Sequence, residues 1–455
     1  MKKLIALLLA LAMVFAMVAC AKPEEPAAPA EPEAPAAEEP AAEEPAAEEP
    51  AAEEPAEPYE LDFWTFQALH VEFYEKMVEM WNEKNPTEPI KLNPTVYDFE
   101  DMHTKLGLAL QSGEGAPDMV DIEIGKYANF LQGDIQLESL NDIVEPELDN
   151  IVKARVDIYS KDGTYYGICF HVGAAVIYYN TELCEAAGID WQNIKTWDEY
   201  YEAGKTLKAA NPDAYWTSVE SSDIWHMWPL LAELGGDMTD DQGNITIDTP
   251  EMAQVLEFNR KMVDEGIAVV APGTYHHAEE FYQLCGEGKV ASLVMPFWYI
   301  DRFTNYMPDL AGKIATRPLP VWEEGEPRSV GQGGTGTSVT NQAKNVDLVK
   351  RFLAYAKLSV DGGCQAWTLC GFDPIRKEVW DMEEVTHADN VFTQYYVTNP
   401  FDTLLEIKDE IVGHNNNENL PAALDAMKTN VLYRAYTEEN VDIPAMLAEE
   451  QAKLG

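Results

Sequence analysis

The chain has 455 residues, and its 80 Asp and Glu against 31 Lys and Arg leave a formal net charge of −49. That balance argues against nucleic acid and against docking on an anionic membrane face; a cationic ligand is compatible with it, although a solvated secreted surface explains the same charge. The six cysteines and eight histidines follow neither a zinc framework nor HExxH spacing, so neither a metal site nor a cofactor is expected.

In chain order, Lys2 and Lys3 precede an uncharged apolar run from Leu4 to Ala19, and Cys20 follows. The run is the core of a secretory signal and too short for a comfortable permanent span. Val18-Ala19-Cys20 resembles the lipobox of bacterial lipoproteins, with Met17 where those proteins usually carry Leu. The resemblance implies a signal over 1–20, lipidation at Cys20 and an anchor on the outer face of the cytoplasmic membrane, in a Gram-positive-type envelope. Residues 21–58 are Ala, Glu and Pro apart from Lys22, with AAEEP repeated four times between Ala36 and Pro55. Such a tract cannot bury enough apolar surface to order itself, so a disordered, extended stalk is expected.

The remaining 59–455 are too many for one core, and two domains are expected. Tyr59 to Phe66 alternates as a first strand, and Phe73, Met77, Met80 and Trp81 mark a helix that stops at Asn85-Pro86. Ile90–Val96 reads as a strand, Thr104–Gln111 as a helix and Met119–Ile124 as a third strand. This βαβαβ order predicts an α/β fold with a largely parallel sheet. Tyr165–Tyr179 is almost wholly apolar, as in a strand buried on both faces or one passing between domains. Helices are expected over Trp197–Ala210, Ala253–Gly266, Val346–Leu358 and Pro421–Leu432, and a buried strand over Val290–Trp298. Asp237 to Asn244 reads as a hairpin turn, because a calcium loop would need a Glu at its twelfth position. Cys364 and Cys370 are read as small buried hydrophobes rather than a pair.

Asp162-Gly-Thr-Tyr-Tyr-Gly-Ile-Cys-Phe-His, continuing through Val176-Ile-Tyr-Tyr-Asn180 to Thr196-Trp-Asp-Glu-Tyr200, resembles the pattern of the family 1 extracellular solute-binding proteins of ABC importers, maltodextrin- and multiple-sugar-binding receptors among them. Cys169 stands where that pattern has Pro. Gly115-Ala-Pro-Asp118, Gly288-Lys-Val-Ala291 before Phe297-Trp298, and Pro318-Leu-Pro320 before a glycine-rich loop extend the resemblance over the whole body. It implies a two-lobed periplasmic-binding-protein-like fold with an interlobe cleft. The first lobe would be 59–170 plus 338–375 and the second 171–337 plus 376–455, with hinge crossings near Phe170–Gly173, Thr335–Ser338 and Phe372–Arg376. It also implies a non-enzymatic, monomeric receptor that hands a carbohydrate, an oligosaccharide above all, to ABC permease subunits. A polyamine or glycerol phosphate receptor and a secreted glycoside hydrolase remain as alternatives.

A sugar offers flat C–H faces and an edge of hydroxyls, so its site needs aromatic platforms and a few placed polar groups. Trp64, Phe66 and Gln67 end the first strand, where ligands sit in open α/β sheets. Asp121 and Glu123 end the third strand on opposite faces, and Glu123 is preferred for the cleft. His171 lies at a crossing. Trp225 and Trp228 would share a face of a helix start. Phe297 and Trp298 stand where relatives place a stacking aromatic, and Gly333 and Gly334 allow close backbone approach. Asp373 and Arg376 near the last crossing are weaker candidates.

Overall fold

The computed structural model describes residues 57–455, so the leader, Cys20 and nearly all of the Ala/Glu/Pro tract lie outside the described residues. Strand β1 (Tyr59–Thr65) buries Leu61, Phe63 and Thr65 on one face, as its alternation requires. Helix α1 (Ala68–Lys84) buries Phe73, Tyr74, Met77, Val78 and Trp81 and ends where Pro86 forces Asn85 out of helical geometry. After β2 (Ile90–Val96), helix α2 (Phe99–Ser112) starts earlier than its apolar spacing suggests, with Glu100 and Asp101 in its first turn, and closes on left-handed Gly113. Strand β3 (Met119–Glu123) completes the βαβαβ unit.

The apolar run 165–179 is not one strand. It splits into β4 (Ile168–Cys169) and β5 (Ala175–Asn180), and the residues between them carry the chain from one sheet to the other. Helix α3 (Trp197–Ala210) has the bounds its capping box dictates: Thr196 accepts from the Glu199 amide while the Glu199 carboxylate accepts from the Thr196 amide. Next come β6 (Thr217–Val219), α4 (Pro250–Asp264), β7 (Ala268–Val270), β8 (Ser292–Pro296) and β9 (Ile314–Arg317). The chain then returns through β10 (Thr335–Val339), α5 (Val346–Leu358) and α6 (Val360–Cys370), and both helices pack on α1. Near the C-terminus are α7 (Leu420–Ala426), α8 (Leu432–Thr437) and α9 (Ile443–Leu454). The single helix expected over Pro421–Leu432 is instead interrupted by a π-helical turn, Met427–Val431.

Two sheets organise the body into two lobes. The first has the order β2-β1-β3-β10-β4, with β1, β2 and β3 parallel and β10 antiparallel. The second has the order β8-β5-β9 and is antiparallel throughout, so the expected parallel sheet is met by β1, β2 and β3, and parallel pairing elsewhere is limited to two-stranded ribbons such as β6 with β7. Strand β5 is buried along its whole length because it is the central strand of that sheet.

Crossing segments join the lobes at residues 170–174, 331–334 and 372–375. Thr335–Ser338, expected as a crossing, belongs to β10, so the chain crosses just before it. Asp373, fully buried, accepts from the amides of Gly173 (3.0 Å) and Ala174 (2.8 Å), and its own carbonyl accepts from Val172 (2.9 Å). The Gln332 amide donates to the Gly173 carbonyl at 2.8 Å. The crossings are thus hydrogen-bonded to one another.

Asp237–Asn244 forms a turn. Asp240 accepts from the amides of Gln242 and Asn244, and Thr239 bridges Ile245. All five cysteines among the described residues are free; Cys370 is buried and Cys364 half-buried. No helix of the described residues is long and apolar enough to cross a membrane, and no His/Cys/Asp/Glu cluster among them suits a metal ion.

Candidate functional site

The parallel strands β1 and β3 point their carboxyl ends at a cavity of about 380 Å³ between the lobes. On the first-lobe side Phe66 and Gln67 follow β1, His70 comes from the first turn of α1, Phe99 opens α2 and Glu123 closes β3. The second lobe contributes Asp223, Trp225, Tyr275, His277, Trp298 and Lys428. Arg302, also in the wall, pairs with Asp301. His171, Gly333, Gly334 and Phe372 come from the crossings, so closing or opening the hinge must alter this wall.

The second-lobe wall is aromatic and ordered. Trp298 meets Trp225 edge to face at 5.3 Å and 87°, and His277 lies nearly parallel to it at 5.6 Å and 22°. Tyr275 continues the series beside His277 at 6.0 Å and 28°. Edge-to-face and offset contacts are the arrangements ring quadrupoles favour. Burial pushes His277 down to about 3, so near neutral pH it presents an uncharged ring. Tyr275, at 38 % exposure, and Phe99, at 36 %, are the solvent-facing aromatics of the cavity, one from each lobe.

The glycine-rich loop is shaped by packing. A Cβ on Gly333 (φ +63°) would stand 3.0 Å from Trp298 Nε1 and 3.4 Å from the Trp225 ring; one on Gly334 (φ +124°) would stand 2.7 Å from the Tyr159 hydroxyl. Trp298 Nε1 donates to the Gln332 carbonyl at 3.2 Å. Behind the loop, buried Arg155 donates to the carbonyls of Gly331 and Gly333. Its planar fork thereby sets the loop's path.

The polar edge is charged and crosses the cleft. Lys428 Nζ lies 2.9 Å from Asp223 and 5.8 Å from the Trp225 ring centre. Burial works to lower the Lys428 pKa, but Asp223 and Glu123 outweigh it and hold the ammonium charged. Glu123 caps the short helix Ile124–Tyr127 by accepting from the Gly125 amide at 2.7 Å. Burial pushes Glu123 up to about 7, against the pull of Lys428. The folded chain therefore holds that proton more tightly than an unfolded one, and ionising Glu123 subtracts from stability as pH rises from its ordinary 4.5 to about 7. Glu123→Gln removes this titration. Its melting temperature relative to wild type is expected to rise between about pH 5 and about pH 8. A difference independent of pH, measured by thermal unfolding, would refute the assignment.

Of the residues singled out from sequence, Phe66, Gln67, Glu123, His171, Trp225, Trp298, Gly333 and Gly334 line the cavity together. Trp64, Trp228 and Phe297 do not. Trp64 packs edge-on against Tyr97 at 5.2 Å. Trp225 precedes the helix Trp228–Glu233 instead of sharing it, so Trp228 turns inward, stacks on His414 at 3.7 Å and donates to Asp237. Phe297 is fully buried against Trp367 and Phe401. Asp121 lies beneath the cavity, accepting from Thr65 and Thr337 and bonded to His70. Asp373 ties the hinge, and Arg376 pairs with Glu147 and the Leu358 carbonyl. His70, Phe99, Asp223, Tyr275, His277, Arg302 and Lys428 were not foreseen as wall residues. No local pattern marked Tyr275 and His277: they flank fully buried His276 in a turn closed by the Ala278 amide donating to the Tyr275 carbonyl.

A profile of the family described as bacterial extracellular solute-binding protein matches residues 67–359. An arabinooligosaccharide-binding protein of Halalkalibacterium halodurans is 48 % identical over 373 residues, covering 82 % of this chain and 83 % of that protein. A Bacillus subtilis protein with the same description is 41 % identical over 379 residues, covering 83 % and 87 %. Among solved structures, the ABC-transporter-associated binding protein of B. animalis subsp. lactis, in complex with β-1,6-galactobiose, superimposes with a TM-score of 0.71 at 23 % identity. That match covers 88 % of this chain and 97 % of the other. The GacH receptor of Streptomyces glaucescens gives 0.71 at 20 % identity, covering 88 % and 99 %. These structures share the fold.

Proposed function

This chain belongs to the bacterial extracellular solute-binding protein family, and on that premise we propose that it captures arabinose oligosaccharides between its lobes and presents them to an ABC permease. It is a binding protein, not an enzyme. The observation that carries the reading is the pairing of an aromatic wall (Trp225, Trp298, His277, Tyr275) with the polar groups of Gln67, Glu123, Asp223 and Lys428 across one cavity. Rings stack on sugar faces while the polar groups meet hydroxyls. Closure would follow from tighter binding to the closed arrangement.

The cavity's charges also weigh against the alternatives. Arg302 and Lys428 occupy the carboxylates of Asp301 and Asp223 that a polyamine would need. Each is paired with a carboxylate, Asp301 or Asp223, which leaves no free cation cluster for a phosphate. A glycosidase needs one carboxyl to give a proton while its partner stays free to act on the same bond. Glu123 keeps its proton to about 7, but the neighbouring Asp223 carboxylate is held by Lys428, and the relatives matched over most of the chain are described as binding proteins.

Titration calorimetry with arabinan-derived oligosaccharides, maltodextrins, spermidine and glycerol phosphate tests the reading. Saturable binding of the arabinose series alone, without release of shorter sugars, is expected. Binding of spermidine alone, or turnover of the sugars, would overturn it.

The same reading assigns 59–170 plus 335–375 to one lobe and 171–334 plus 376–455 to the other, working as a monomer, the boundary expected at 337/338 moving to the start of β10. It anchors the chain outside the cytoplasmic membrane through lipidated Cys20, which stands after the Leu4–Ala19 leader. Cys20→Ser should move the protein from the membrane fraction to the medium, and retention on the membrane would refute the anchor.

A further inference from the structure

Two separate segments carry most of the second-lobe wall: 220–228, with Asp223 and Trp225, and 273–278, with Tyr275 and His277. Neither is regular secondary structure where it meets the cavity. Both converge on one side chain that the cavity itself never touches. Glu220, fully buried just after β6, accepts from the Trp225 amide through Oε2 (3.1 Å) and from the His276 amide through Oε1 (2.9 Å). Each oxygen of one carboxyl thus holds one segment. We propose that Glu220 is a positioning residue of the ligand site, fixing Trp225 against Trp298 and turning Tyr275 and His277 into the cleft.

Three further observations point the same way. Thr274 has φ +76°, a left-handed conformation that is strongly disfavoured for a β-branched residue and persists only where its surroundings impose it. What imposes it is on either side: the Thr274 carbonyl accepts from the amides of Ser221 (2.9 Å) and Ser222 (3.2 Å), the hydroxyls of Ser222 and Thr274 are bonded at 2.8 Å, and the Glu220 bond holds His276. Secondly, His226 and His276 each place Nδ1 3.5 Å from the carboxyl. Burial pushes both imidazoles down, so neither supplies a cation that would make Glu220 a mere ion-pair partner. Thirdly, the Glu220 amide donates to His226 Nδ1 (3.3 Å), while His226 Nε2 is bonded to the Tyr436 hydroxyl (3.2 Å). The support behind the wall therefore reaches α8, in the same helical stretch that carries Lys428. A rigid second layer of this kind keeps a binding constellation within the narrow tolerance that recognition demands.

The inference rests on the oligosaccharide reading, so wild-type binding is measured first; failure there removes that reading, whereas the variants address Glu220 alone. Glu220→Gln keeps the shape but exchanges one acceptor for a donor, so one amide loses its partner. An approximately tenfold weaker dissociation constant is expected for the arabinose oligosaccharide. The near-ultraviolet dichroism of the ligand-free protein should change with it, because the Trp225–Trp298 pair is no longer held. Glu220→Asp, which keeps both acceptor oxygens, should fall between the two. Leu256→Ala, which empties part of the same lobe from α4 away from the cavity, is the control: a lower melting temperature with unchanged affinity. A Glu220→Gln protein that behaves like this control, losing stability but binding within twofold of wild type, overturns the proposal. Should Glu220→Gln not fold, Ser222→Ala decides. It cuts only the exposed strap to Thr274, and a dissociation constant equal to wild type would overturn the idea, while a loss of roughly threefold supports it.

Discussion

Replacing Trp298 by alanine is expected to weaken oligosaccharide binding by roughly 30- to 1000-fold, the loss of about 2–4 kcal/mol typical of a central aromatic anchor. Trp298 is the hub of the wall. It touches Trp225 and His277 by ring contacts and the hinge through its bond to the Gln332 carbonyl. Truncation removes a stacking face and frees its neighbours to move. It also cuts one link between the second lobe and the crossing beneath it. Trp298→Phe separates these effects, since it keeps a ring but loses the indole N–H, and an intermediate loss is expected. Trp64→Ala is the matched control, because Trp64 packs on Tyr97 outside the cavity and its removal should leave affinity within about twofold. Calorimetry on the three variants, with far-ultraviolet dichroism to verify folding, decides the matter. Equal losses for Trp298→Ala and Trp64→Ala would refute the assignment of the wall.

The second large effect concerns the hinge. Gly173→Val is expected to destabilise the body by about 3–5 kcal/mol, lowering the melting temperature by roughly 5 °C. Gly173 has φ +70°, and a Cβ there would stand 2.1 Å from the Gln332 carbonyl oxygen and 3.0 Å from His171 Nδ1. The first contact is with backbone and cannot be relieved by rotating a side chain. The same glycine gives its amide to Asp373 and its carbonyl to Gln332, so moving it disturbs the links to both other crossings. Scanning calorimetry reads the result. An unchanged transition would mean that the crossings can part without loss, and the stitched hinge would have to be abandoned.

The elements whose limits are set locally were legible in the sequence. Trp197–Ala210 starts at a capping box, Val346–Leu358 starts after an Asn cap, and both have the expected bounds. The βαβαβ unit followed from alternation and turn residues. What failed is what depends on distant partners. The 165–179 run divides because its halves pair with different sheets, and no local periodicity records that. Trp225 and Trp228 looked like one helix face, but the helix begins only at Trp228, and the amide of Trp225 is taken by Glu220. Phe66, Gln67 and Glu123 could be placed because strand ends in a parallel sheet open onto a crevice. Arg302, His277 and Lys428 could not, since each reaches the cavity through a fold that brings segments far apart in sequence together.

The π-helical turn at Met427–Val431 bears on how such a site can arise. A π-turn holds one more residue than the α-turn it replaces, whereas adding a residue to a regular helix would rotate everything beyond it by about 100°. Downstream, Tyr436 must keep its orientation to bond His226 and Asn259. Upstream, α7 must keep its face towards the helix Ile124–Tyr127. Confining the extra residue to the turn satisfies both demands while carrying Lys428 into the cleft. The extra residue of the turn thus presents Lys428 to Asp223 while Tyr436 and α7 both keep their partners.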